Sequence, residues 1–369
     1  MAFFGVTVET IATVKPVENS DRLDVCTLEG MGFEFVVGRD QWKPGDKCLY
    51  FPIDSLIPED VQEKLGVKGY LSGPKKNRVK TIRLRGQVSQ GLVGPLDILD
   101  TLDPSEVEAM PSEELTALLR VEKYEPPERI SGLGGGRSVR MATLPPGQTV
   151  YDIEGAQRYK SALDRLLEIP VLITEKLEGS NWSATRFLQD GEWKTSINTR
   201  RHAIIPKDDE EEHPFIKAYT EQGFESILEA VQAKYPEASM IVLYGEFCGP
   251  GVQKNIYDLQ SHKVYLFDIK VDNRFLDVED FLCLKGTADI VPIISKGDTL
   301  SKVLESYIQQ GDQPIDALKK ASTGKSILKM DALREGIVIR PLIEEYSPAL
   351  HGRLIIKQRS PEYLAKSKL

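Results

Sequence analysis

Cysteine, histidine and long apolar runs are scarce in this sequence, and each scarcity removes a class of protein. Four cysteines (Cys26, Cys48, Cys248, Cys283) are scattered through 369 residues without a Cys-x-x-Cys pair, beside only four histidines. That argues against a structural zinc site and fits a reducing, cytosolic compartment, or a nuclear one in a eukaryote. No apolar run approaches the length needed to cross a bilayer, so no membrane partner is expected, and no protein partner is evident either. Met1-Ala2-Phe3-Phe4-Gly5 has no basic region followed by a long apolar one, so no secretory signal is expected. What is present is the composition of a soluble globular protein, 41% hydrophobic and 28% charged, long enough for two domains. The net charge of -9 does not advertise nucleic acid, although local patches decide binding more than the total does.

Residues 1–125 read as short strands separated by turns. Val6 to Val14, Leu23 to Leu28, Phe33 to Val37, Cys48 to Pro52, Val79 to Leu84 and Gly91 to Val93 alternate or run apolar, with Asn19-Ser20-Asp21 and Pro44-Gly45-Asp46 between them. That spacing predicts a small β-barrel. Residues 111–121 predict a helix capped by Ser112. Between Lys68 and Gly86 stand Lys75, Lys76, Arg78, Lys80, Arg83 and Arg85, without one acid. A run of this kind is either a solvated loop or a phosphate contact. On a small barrel the second reading makes these six residues candidate nucleic-acid ligands. Residues 126–150 are rich in glycine and proline, which predicts a linker. A phosphate-cradling glycine loop is disfavoured there, because no Gly-Lys-Ser/Thr follows.

The second domain is expected over residues 151–369. A helix is expected over 154–168 and another over 214–234, with Asp208 to Glu212 on a solvated loop before the second. Val171 to Thr174 is strand-like and delivers Glu175-Lys176-Leu177-Glu178-Gly179-Ser180-Asn181. A lysine at a strand end beside acids and a glycine can become a nucleophile, because desolvation and local charge set how readily it loses its proton. Taken alone, the match is no more than an exposed strand end. Partners follow downstream in a fixed order: Tyr244-Gly245-Glu246, Phe267-Asp268-Ile269, Glu335-Gly336-Ile337-Val338 and Ile356-Lys357-Gln358-Arg359, with Arg200 after an earlier strand.

Five motifs in this order resemble the covalent nucleotidyltransferase superfamily of ATP-dependent ligases and capping enzymes. Val14 to Leu23, Val36-Val37-Gly38 and Pro44-Gly45-Asp46 resemble OB-fold domains that bind RNA. Because the OB-like part comes first, and because of Glu-Lys-Leu-Glu-Gly-Ser-Asn and the early Ser89-Gln90-Gly91-Leu92, the chain resembles the Deinococcus-type ATP-dependent RNA ligases. Two departures are visible. Glu178 stands where aspartate is common, and Arg359 stands where many ligases have a second lysine, a change of fork geometry at constant charge.

The resemblance implies an α+β chain, with an OB-like barrel before an ATP-grasp-like ligase adenylation domain of antiparallel sheets flanked by helices. It implies ATP and Mg²⁺ or Mn²⁺ as cofactors, and RNA or an RNA-containing duplex with 3′-OH and 5′-phosphate ends as partner. Lys176 would attack the α-phosphate, with Lys357 and Arg359 on the developing charge and Arg200 near it. Glu175 would meet the base edge, Phe267 would stack on adenine, and Glu246 would accept from the ribose. Asn181 and Glu335 complete the nucleotide-binding set. Glu178, Glu335 and Asp268 suit a hard metal ion. The rivals are a DNA ligase, a GTP-using capping enzyme, or a non-catalytic OB-fold protein with a decayed pocket; the intact nucleophile and acids speak against decay.

Overall fold

The computed structural model describes residues 4–124, 140–206 and 213–366. These residues form two compact units, one from the N-terminal stretch with Gln157–Ser161 and one from nearly all the rest.

In the first unit, β1 (Thr7–Pro16), β2 (Leu23–Leu28), β3 (Glu34–Gly38) and β4 (Lys47–Phe51) precede a two-residue strand, β5 (Ser55–Leu56), and helix α1 (Glu59–Lys64). The hairpin β6 (Thr81–Leu84)/β7 (Gln87–Gln90) leads to β8 (Leu92–Gly94), helices α2 (Pro104–Ala109) and α3 (Ser112–Leu118), and β9 (Glu122–Lys123). The main sheet runs β3-β2-β1-β4-β8. It nearly closes on itself where the Ser89 hydroxyl accepts from the Val36 N–H at 3.1 Å. Strand β4 explains the build. Successive side chains point to opposite faces, so Leu49 and Phe51 enter one apolar cluster while Cys48 and Tyr50 enter another. Both faces are covered, and the strand reads as a continuous apolar run. Helix α3 starts one residue earlier in role than its sequence predicts: Pro111 is the N-cap, and Ser112 lies inside the first turn.

The second unit contains two large sheets, antiparallel except for one edge pair. The larger runs β10 (Arg140–Thr143), β15 (His202–Ile205), β14 (Glu192–Asn198), β13 (Ser180–Gln189), β16 (Met240–Cys248), β17 (Lys263–Val271) and β18 (Arg274–Phe275). The smaller runs β11 (Glu154–Gly155), β23 (Ile356–Arg359), β20 (Gly336–Pro341), β12 (Pro170–Lys176) and β19 (Ile293–Thr299), with β11 parallel to β23. A two-residue pair, β21 (Tyr346–Ser347) and β22 (Gly352–Arg353), stands apart. The helices are α4 (Lys160–Glu168), α5 (Pro214–Glu221), α6 (Phe224–Lys234), α7 (Val278–Leu282), α8 (Leu300–Leu304), α9 (Pro314–Ser322) and α10 (Pro361–Lys366). Ile241, Leu243 and Phe247 of β16 pack toward α5 and α6, while Met240, Val242 and Tyr244 face the other side.

Several sequence expectations shift for physical reasons. The helix expected over 154–168 begins only at Lys160, because Glu154 and Gly155 pair with β23. The helix expected over 214–234 is two, broken at Gly223, whose φ of +68° suits glycine. Of the expected linker, residues 140–143 form β10, the edge strand paired with β15. The acidic stretch Asp208 to Glu212 and the glycine-rich stretch 126–139 lie outside the described residues. No helix among the described residues is long and apolar enough to cross a membrane.

Candidate active site

The two sheets of the second unit bring their motif residues together. Strand β12 is buried along Val171–Ile173 and ends on Lys176, which pairs with Gly336 of β20. Gly336 pairs in turn with Arg359 of β23. This crossing of three strands demands glycine: a Cβ on Gly336 would lie 2.2 Å from the Gln358 carbonyl oxygen. Gly179 meets the same demand, since a Cβ there would lie 2.6 Å from the Phe247 carbonyl oxygen. Glu178-Gly179 and Glu335-Gly336 therefore mark places where backbones approach closely.

Glu335 links the nucleophile candidate to the last basic residue. Its Oε2 lies 2.8 Å from Lys176 Nζ, and its Oε1 lies 3.2 Å from Arg359 Nε, a contact without hydrogen-bond alignment. Behind them Lys357 Nζ lies 3.8 Å from Asp152 Oδ1, while Asp152 Oδ2 takes Arg200 Nη2 at 2.8 Å. Burial lowers the pKa of Lys357; Asp152 and Glu154 oppose that, and the charges of Lys176 and Arg200 add to it.

On the larger sheet, Asn181 pairs directly with Glu246. Burial raises the Glu246 carboxyl to about 7, and the negative charge of Glu335 adds to that, while Lys176 and Arg200 oppose it. Glu175, buried at the end of β12, accepts from the Ile327 N–H at 2.7 Å through Oε2, and its Oε1 has no hydrogen-bond partner. Its carboxyl is also raised by burial. Phe267 is the bulge residue of β17, because Tyr244 pairs with Asp268 and Gly245 with Leu266. Its half-buried ring lies 4.9 Å from that of Tyr151 and 6.5 Å from that of Tyr244. A bulge re-aims a side chain, and here the ring it carries lies with those of Tyr151 and Tyr244.

Glu178 is held from three sides. Its Oε1 accepts from the Lys254 N–H at 3.0 Å, its Oε2 from the Tyr363 hydroxyl of α10, and its own N–H donates to the Tyr257 hydroxyl at 2.6 Å. Asp268 does not belong to this group, which corrects its assignment as a metal ligand. It is fully buried, with Oδ1 on Arg340 at 2.8 Å and Oδ2 on Arg353 at 2.6 Å and on the Tyr151 hydroxyl at 2.7 Å. Oδ1 also accepts from the Ile269 N–H at 3.0 Å, so both carboxylate oxygens are engaged twice within the protein. Among the described residues no three His, Cys, Asp or Glu side chains gather as a metal site.

Arg78 also changes role. It pairs with Asp54 through Nε at 2.8 Å and Nη2 at 2.5 Å, and its guanidinium lies 3.5 Å from the centre of the Tyr124 ring. It is a brace of the first unit, not an open phosphate ligand. Lys75, Lys76, Lys80, Arg83 and Arg85 are exposed, the last three on or beside the β6/β7 hairpin. Its turn, Arg85-Gly86, has φ of +51° and +90°, the left-handed pair a tight hairpin needs.

Asp152, Tyr257 and Tyr363 gave no warning in the sequence. Nor did Asn198, fully buried, whose amide reaches Ser183 Oγ at 3.2 Å and Thr185 Oγ1 at 3.1 Å and so anchors the strand end that delivers Arg200. No periodicity or motif marks any of these residues.

A strand-end lysine stands here with a carboxylate beside it, two cations on β23 and a third on the loop between β14 and β15. A family model for RNA ligase matches residues 169–358, and one for an OB-fold domain matches residues 5–96. The first spans more than half of the sequence, so the chain belongs to the RNA ligase family and is an enzyme of that class. Its fold is shared with solved structures of Naegleria gruberi RNA ligase. A lysine-to-alanine variant with ATP and manganese is 22% identical, with 100% of this chain and 98% of that chain covered at a TM-score of 0.72. A lysine-to-methionine variant with AMP and manganese is 23% identical, with 98% of each chain covered and a TM-score of 0.73. The same ligase with pyrophosphate is 24% identical, with 98% of each covered and a TM-score of 0.71.

Proposed function

We propose that the protein seals 3′-OH/5′-phosphate breaks in RNA with ATP, through a lysyl-AMP on Lys176, and that its substrates are nicks in RNA-containing duplexes of the kind RNA repair must close. The observation that carries this reading is the placement of Lys176, Glu335 and Arg359 in one chain of ion pairs, with Lys357 and Arg200 close behind. In the first step the Lys176 amine, having lost its proton, forms a P–N bond to the α-phosphorus as the bond to pyrophosphate breaks. An RNA 5′-phosphate oxygen then displaces the lysine, and the 3′-OH finally displaces AMP, its proton passing to solvent. Phosphoryl transfer is mostly positioning and charge neutralisation, which is what Lys357, Arg359 and Arg200 are suited to supply.

Three buried polar atoms around the site, Glu175 Oε1, Arg200 Nε and Arg359 Nε, have no hydrogen-bond partner, and a nucleotide would satisfy such groups. Glu175 would accept from the adenine amine, Glu246 and Asn181 would hold the ribose, and Phe267 would stack on the base. Mg²⁺ or Mn²⁺ would be held by Glu178 or Glu335 with phosphate oxygens and water, as such ions commonly are, and would supply charge neutralisation at the phosphates. Residues 1–125 act as the RNA-binding OB domain in this reading, and the chain's second unit as the adenylation domain.

The reading is tested with nicked duplexes carrying RNA or DNA on each side of the break. Sealing that requires RNA at the 3′-OH side supports it; equal sealing of an all-DNA nick makes the enzyme a DNA ligase, and labelling by GTP instead of ATP makes it a capping-type enzyme. A second expectation concerns the exposed hairpin. Replacing Lys80, Arg83 and Arg85 together by glutamine should weaken duplex binding about tenfold or more at moderate salt and flatten its salt dependence by about two to three contacts. Transfer of label from ATP to the protein should persist. Arg78→Ala should instead lower stability, because its partner Asp54 and the Tyr124 ring lose their brace. Unchanged binding by the triple variant would show that the hairpin does not contact RNA.

A further inference from the structure

We propose that Asp152 is a positioning residue for nucleotidyl transfer, holding the Lys357 ammonium and the Arg200 guanidinium on one carboxylate so that both cations act on the same phosphate. The inference rests on the reading of Lys176 as the nucleophile. Asp152 lies just before β11, whose Gly155 pairs with Lys357 itself, so the backbone that carries the acid is bonded to the strand that carries the lysine. One carboxylate oxygen serves each cation, Oδ2 at 2.8 Å from Arg200 and Oδ1 at 3.8 Å from Lys357. The two cations come from different sheets, Lys357 from the smaller and Arg200 from the loop between β14 and β15 of the larger. Without an acid between them they repel each other.

The groups that act on Lys357 are Asp152 and Glu154, which favour its charged form, and Lys176 and Arg200, which disfavour it; burial disfavours it most. Asp152 is therefore the stronger of the two charges that favour the Lys357 ammonium against burial. Sequence order hides this, since Asp152 precedes Lys357 by most of the second unit and belongs to none of the five motifs.

The test is the pH–rate profile of label transfer from α-labelled ATP to the full-length protein. The ascending limb reports deprotonation of the nucleophile, and a descending limb reports loss of a required proton elsewhere. In Asp152→Asn the descending limb should move to lower pH, so that the loss of rate is at least about tenfold larger at pH 9 than at pH 7. Asp152→Glu should restore most of the alkaline rate. A purely structural role would lower the rate equally at both pH values, and that result overturns the inference. Lys357→Arg decides the matter if Asp152→Asn does not fold. A guanidinium keeps its proton throughout, so the alkaline descent should vanish, and its persistence overturns the assignment. Absence of any Lys176-dependent labelling in the wild type would overturn the underlying reading and this inference with it. Wild-type labelling with an unshifted variant profile would overturn this inference alone.

Discussion

Lys176→Ala should abolish transfer of label from α-labelled ATP to the protein, with a loss on the order of a thousandfold or more, while the chain still folds. The amine is the atom that forms the new bond, and no neighbouring group replaces it: Lys357 is occupied by Asp152 and Arg359 by Glu335. The fold should survive because the Lys176 side chain is a quarter exposed, at 25%, and makes one ion pair, with Glu335. Glu335 is largely enclosed, so losing the pair costs more than a surface pair would, on the order of 1–3 kcal/mol, but Glu335 keeps Arg359 as a counterion. Lys176→Arg should be as inactive as the alanine variant, because a guanidinium does not give up its proton near neutral pH. Covalent labelling read on a denaturing gel, with a thermal melt of each variant, checks both halves. Retained labelling in Lys176→Ala would sink the proposed mechanism.

The second large effect is on stability and lies beside the site. Asp268→Ala should destabilise the second unit by about 3–5 kcal/mol, because it leaves buried guanidiniums without their carboxylate. Arg340 is almost wholly enclosed and loses its 2.8 Å partner. Arg353 keeps Glu344 at 2.6 Å, so the damage falls mainly on Arg340, whose distance to Glu344 is 3.6 Å. Burial opposes ionisation of Asp268, but Arg353 and Arg340 outweigh it and hold the carboxyl below the usual range. A carboxyl depressed on folding contributes stability that is complete above its unfolded pKa, roughly 3.9, and disappears as pH falls through the lower folded value. The wild type should therefore lose this contribution only in acid, below about pH 4, and the variant should lack it at neutral pH. Urea unfolding followed by tryptophan fluorescence in a Trp42→Phe background reads the second unit, where Trp182 and Trp193 lie. A variant within 1 kcal/mol of wild type would show that the cluster is energetically idle.

The same carboxylate illustrates how far sequence reading reaches. Asp268 and Glu335 look alike in one dimension: each is an acid at the end of an apolar strand motif. Asp268 meets Arg353, 85 residues away, and is consumed by it, whereas Glu335 stays beside Lys176. Arg78 and Arg83 belong to one basic run, yet the first is spent on Asp54 and the second stands exposed on a hairpin. Helix boundaries shifted for a related reason. The apolar periodicity behind the helix expected over 154–168 rests on Tyr159, Leu163, Leu166 and Leu167, and Glu154 and Gly155, which lie before it, give their backbone groups to β23.

The order of the motifs, the strand that delivers Lys176 and the Glu-Gly pairs at 178–179 and 335–336 were determined by sequence alone, because each depends on residues within a few positions of one another. Alternation makes a strand, and a backbone crossing closer than a Cβ allows makes a glycine. The tertiary structure alone decided which charges remain available for chemistry. It placed Asp152 between Lys357 and Arg200, tied Glu178 to Tyr363, and buried Asp268 between two arginines. The fate of a charge is set by whichever partner folding brings within a few ångströms, and Coulomb attraction in a partly dry interior takes no account of distance along the chain.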